Sequence, residues 1–212
     1  MRVLLSLLFV VASYGVLGEE TKLCTCISGN LTTPTETFDP EAFKKYGLTP
    51  KHIPIPPKDM LMGAFETANV VLGNFIDPLR TLDTAYVKYP NGKDDVKYTL
   101  FLLDFDAAQS RHPDVYIIGL FVNAPSSNLI INSDTVVNYV PPLPRVGTGT
   151  HRPTGLLYEQ NEHIDPDQTE LTKLLKTRVL QVEEFVKKYN LKAEPVAGNF
   201  FTTSLSYCED VN

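Results

Sequence analysis

The chain has no surplus of positive charge: 19 Lys and Arg stand against 25 Asp and Glu, for a formal net charge of −6. That excludes the broad basic footprint by which nucleic-acid-binding domains hold phosphates. It also leaves little to draw the protein onto an anionic membrane by charge alone. Aromatic and basic residues do not interleave as a single-stranded nucleic acid platform requires. No fixed-period repeat is present. After the first 16 residues no apolar run is long enough to cross a bilayer, which takes about 20 residues. A nucleotide-type glycine loop is also missing, because Gly147-Thr148-Gly149 follows prolines rather than joining a strand to a helix. The four histidines do not sit at ligand spacing with one another or with a cysteine, so neither a metal nor another cofactor is expected. No serine or cysteine nucleophile is signalled beside a base, which argues against catalysis.

What is present begins with an export signal. Arg2 precedes an apolar stretch from Val3 to Val16, and small residues up to Gly18 prepare a cut before Glu19. Residues 1–18 are therefore expected to be a signal peptide and the mature protein to be secreted. Asn30-Leu31-Thr32 is a glycosylation sequon that fits export, with Asn30 as the acceptor. The three cysteines, Cys24, Cys26 and Cys208, fit an oxidising compartment. A bridge is expected between Cys208 and one of the first two. Cys26 is taken as the partner, with Cys24 still open.

Residues 19–38 read as an extended polar tail, and one domain of 39–212 follows. Asp39 and Pro40 open a short helix that Gly47 closes. Three prolines within 52–57 impose an extended run. Strand signals then dominate to residue 138. Tyr98–Leu103 and Val115–Val122 are apolar on both faces, as in strands covered twice. Pro141 to Gly149 is a loop. Leu171, Leu174, Leu175, Val179, Val182, Phe185, Val186 and Tyr189 recur at helical spacing and predict one long amphipathic helix, begun by an Asp165–Gln168 capping box. His52, His112 and His163 are expected to be exposed. The pattern is mostly β, or α+β, rather than a doubly wound sheet.

Three stretches carry a family resemblance: Tyr98 to Ala107, with Asp104 and Asp106 at the strand end; Gly147-Thr148-Gly149-Thr150-His151-Arg152, with Leu157 to Gln160 behind it; and Phe185 to Leu191 followed by Pro195 to Phe200. Together they resemble the phosphatidylethanolamine-binding proteins. The resemblance implies a large antiparallel sheet packed on a smaller one, flanked by helices, with a small pocket for phosphate-like anions. It assigns Asp104, Asp106, Pro144 and His151 to that pocket.

The chain departs from the family pattern where the chemistry matters. Ile118 stands where the resemblance implies a second histidine, two residues after Tyr116. Pro153 replaces an aromatic, and Phe105 replaces the proline after Asp104. Losing one imidazole removes a charge-assisted bond, a contact worth roughly 1.5–3 kcal/mol. The expected function is a secreted binding or regulatory protein with a modified headgroup pocket, taking a small anionic or lipid-like ligand or one that has diverged toward an apolar or uncharged molecule. The alternative is a secreted protease inhibitor that meets an extracellular protein partner through its surface.

Overall fold

The computed structural model describes residues 37–207 and, before them, the two-residue strand β1 (Leu23–Cys24). Helix α1 (Glu41–Lys45) begins where the Asp39 carboxylate accepts the Glu41 N–H at 3.0 Å. It ends at Gly47, whose φ of +67° is the left-handed conformation that glycine adopts without strain. After the proline run come β2 (Met62–Phe65), β3 (Ala68–Val70) and β4 (Tyr86–Lys88), which form a small antiparallel sheet ordered β3-β2-β4.

The large sheet is built from β5 (Tyr98–Asp104), β6 (Val115–Ala124), β7 (Asp134–Val137) and β8 (Pro153–Glu159), and it is completed further along the chain. Helix α2 (Thr169–Thr177), β9 (Val179–Leu180), α3 (Val182–Lys188), β10 (Ala197–Phe200) and β11 (Ser206–Tyr207) follow. The order is β10-β8-β5-β6-β7, with β9 paired to β6 and every pairing antiparallel. Strands β1 and β11 pair separately, with Cys24 opposite Ser206. Cys26, Cys208, Asn30 and the signal segment lie outside the described residues, so the bridge and the sequon stand as expectations. Among the described residues no helix is long and apolar enough to cross a membrane.

The large sheet is covered on both faces, which is why its central strands read as unbroken apolar runs. Phe101 and Leu103 of β5 pack with Phe43 of α1, Leu171 of α2 and Phe185 of α3 in one core. Tyr98 and Leu100 point the other way, into a second core with Phe65 and Val87 of the small sheet. Strand β6 changes parity partway along. Val115 and Ile117 face the helices, but so do Leu120 and Val122. Leu102 pairs with Gly119 and Leu103 with Ile117, which leaves Ile118 as the extra residue of a β-bulge.

The single long helix expected over 171–189 is two helices. Arg178 takes a left-handed φ of +50°, and Val179–Leu180 leaves the helical path to pair with Val115 and Tyr116. The break is held from outside. The Arg178 guanidinium donates to the carbonyls of Ile117 at 3.0 Å and Asn138 at 2.9 Å. The capping box does not form either, because Asp165 accepts the Asp167 N–H and α2 starts later, with Gln168 as its N-cap.

Candidate functional site

Strand β5 delivers Asp104 to the end of the large sheet, where β8 begins beside it with Pro153 opposite Asp104. His151, two residues before Pro153, is fixed by backbone bonds to Thr203 in both directions, at 2.8 and 3.0 Å. The strand end that carries the acids thus meets the Gly-Thr-Gly loop, as the sequence implies. Asp104 Oδ2 lies 2.7 Å from His151 Nδ1, and each side chain is only 6% exposed. The second Asp104 oxygen accepts the Asp106 N–H at 2.9 Å.

The other imidazole nitrogen faces a hydroxyl. His151 Nε2 is 2.9 Å from Thr148 Oγ1, and the single Thr148 hydroxyl proton is donated to the Arg145 carbonyl at 2.7 Å. Thr148 can then only accept from the ring. With Nδ1 facing a carboxylate, this arrangement favours the protonated ring. Burial alone pulls its pKa down, but the hydrogen bond it donates to Asp104, then the charges of Asp104 and Asp106, outweigh it and the net shift is upward. Gly147 and Gly149 make the loop possible, at φ of +81° and +83°.

Asp106 does not join His151. Arg152 Nε and Nη2 clasp its two oxygens at 2.8 and 2.7 Å, and Nη1 donates to the Tyr46 carbonyl at 2.6 Å. This is the ordinary structural reading of Arg152 as a carboxylate partner. It also sets the local charge, since the two carboxylates are matched by His151 and Arg152.

Ile118 is buried in the bulge of β6. Pro144 is buried in the loop before Gly147. Ile118 and Pro153 line an apolar cavity of about 60 Å³ between the two sheets; Pro142 belongs to that wall and Pro144 does not. His52 is not free at the surface as expected. It is half-buried, stacked on Phe105 at 4.8 Å and 5.8 Å from His112. Its Nε2 is buried without a hydrogen-bond partner. Burial, followed by the charges of Lys51 and Arg152, lowers its pKa to about 4. Sequence reasoning passed over Thr148, Pro142, Tyr139 and Gly155. Thr148 lies within the Gly-Thr-Gly stretch, though without a role assigned to it, and Gly155 left a trace as a glycine inside a strand. Among the described residues no group of three or more His, Cys, Asp or Glu side chains is placed to hold a metal.

A two-sheet antiparallel sandwich of this kind defines a fold class that known proteins share. A family model described as phosphatidylethanolamine-binding protein matches residues 82–201. The chain belongs to that family. It is similar to the carboxypeptidase Y inhibitor in a crystal structure with its cognate proteinase, at 22% identity and a TM-score of 0.63, covering 77% of this chain and 93% of that one. It is similar as well to the phosphatidylethanolamine-binding proteins of Plasmodium vivax (18% identity, TM-score 0.59, 77% and 96% covered) and Plasmodium falciparum (21%, 0.60, 78% and 96%).

Proposed function

We propose that this protein is a secreted, non-catalytic binding or regulatory member of the family, whose headgroup pocket has lost most of its hold on phosphate. The observation that carries this reading is the internal pairing of charge. His151 is spent on Asp104 and Thr148, and Arg152 on Asp106 and Tyr46. Where the family resemblance implies a second imidazole, aliphatic Ile118 offers no donor. A phosphate arriving there would displace bonds already made, in a hollow with no net positive charge. Export is supported by the apolar stretch that precedes Glu19, with residues 39–212 as the folded domain. The pairing of β1 with β11 sets Cys24 opposite Ser206, which favours a bridge from Cys208 to Cys24 or Cys26.

A second reading is favoured by the likeness to a proteinase inhibitor: a secreted inhibitor acting by surface contact. Native mass spectrometry of the secreted protein separates the two. A co-purifying small molecule, lost on the His151→Ala change, supports the binding module. Inhibition of a carboxypeptidase that survives His151→Ala supports the surface inhibitor and counts against the pocket.

A further inference from the structure

The space between the two sheets is walled by Leu61, Val70 and Val87 on one side and by Leu102, Ile118 and Gly155 on the other. Three polar residues reach this wall, and each is already engaged. Asn199 donates to the carbonyls of Leu61 and Val70, both at 2.8 Å, and accepts the N–H groups of Leu72 and Phe200, both at 2.9 Å. Tyr139 donates to the Thr81 carbonyl at 2.6 Å, and Thr154 to the Arg152 carbonyl at 2.9 Å. A water needs two to four polar partners to be held in a cavity, and here the donors are spent within the protein. The wall therefore offers a water few open partners.

Two features make the space. The bulge turns Ile118 out of the regular alternation of β6, toward the small sheet. Gly155, in the middle of β8, omits a side chain there: a Cβ at this position would stand 3.5 Å from Leu102 Cδ2 and 3.6 Å from Leu61 Cδ1, ordinary contact distances. Leu102 lies two residues before Asp104 on β5, and Pro153 two residues after His151. By the two-residue period of a strand, the charge-balanced pair stands at the end of the same face.

We infer that the cavity is a binding site for the short, branched apolar end of a small uncharged molecule, its polar end lying toward Asp104 and His151. The inference rests on the binding-module reading above. At about 60 Å³ the space is well under the roughly 150 Å³ of a dry cavity that holds benzene. That limits the occupant to a xenon atom or about three or four carbons. The engaged polar groups of the wall leave no donor for an anion, which favours a neutral head over an anionic one.

Methyl-labelled protein, followed by NMR, tests this with xenon, 2-methylpropan-1-ol and isobutyrate as probes. Expected are saturable shifts at the Leu61, Leu102 and Ile118 methyls with xenon and with the alcohol, and at least tenfold weaker binding of isobutyrate. Gly155→Ala should cut xenon affinity about tenfold or more while holding or raising the melting temperature. Should that variant not fold, Ala85→Val fills the same wall and must give the same loss. Folded wild type whose methyls do not respond saturably to xenon overturns the inference, as does a folded filling variant with unchanged affinity. Isobutyrate binding as tightly as the alcohol overturns the neutral-head part. Phosphoethanolamine provides the separation. Micromolar binding of it beside a normal xenon response would sink the weakened-headgroup reading and leave the cavity site standing; weak binding beside silent methyls would sink the cavity site alone.

Discussion

Asp104 and His151 are 47 residues apart in sequence, yet their side chains meet at 2.7 Å in a nearly water-free position. The contact closes the end of the large sheet, because one partner ends β5 and the other enters β8. On the proposed reading, a cation already matched by a buried carboxylate has little left to offer an anion.

The pair should leave a signature in pH. The folded pKa of His151 lies above its unfolded value of 6.5, so folding takes up a proton there. Its contribution to stability is complete below the unfolded pKa and is lost as pH rises through the folded one. Asp104→Asn should cost about 3 kcal/mol at pH 6 and less at pH 9. Urea unfolding at the two pH values checks this, and ring-nitrogen NMR should show both His151 nitrogens protonated at pH 6.

His52 should behave in the opposite sense. Its folded pKa is about 4, below the ordinary 6.5, so the unfolded chain binds the extra proton between those values. The stability held above pH 6.5 is lost as pH falls toward 4. His52→Phe keeps a ring against Phe105 and should flatten this acid limb without changing stability at pH 7. A denaturation series from pH 7 to pH 4 checks it; an unchanged acid slope would remove His52 from the account.

Arg152 is expected to be a structural residue. Lysine cannot reproduce its two-pronged clasp on Asp106 together with the bond to Tyr46. Arg152→Lys should lose about 1 kcal/mol in urea with an unchanged denaturant slope. Ligand affinity should not move.

The sandwich was legible because its central strands are covered twice, and strands covered twice are written in uninterrupted apolar residues. The meeting of Asp104 with the Gly-Thr-Gly loop was legible only through the family resemblance; spacing alone carries no contact between positions 104 and 151. Other features left no mark on the sequence. The helix break at Arg178 has no Gly or Pro at that point, and the apolar spacing runs on through it. What bends the chain is the pairing of β9 with β6 and the reach of Arg178 to distant carbonyls. The bulge at Ile118 is hidden in the same way, since Ile117, Ile118 and Leu120 are apolar whichever face they take. His52 looked like a surface histidine because its ring partner, Phe105, comes from across the fold.

The most direct test of the weakened headgroup site is calorimetric titration of the folded, secreted protein with phosphoethanolamine near neutral pH. The account predicts a Kd in the millimolar range or weaker, since the donors at Asp104–His151 and Asp106–Arg152 are already committed. A micromolar Kd, abolished by His151→Ala, would contradict it.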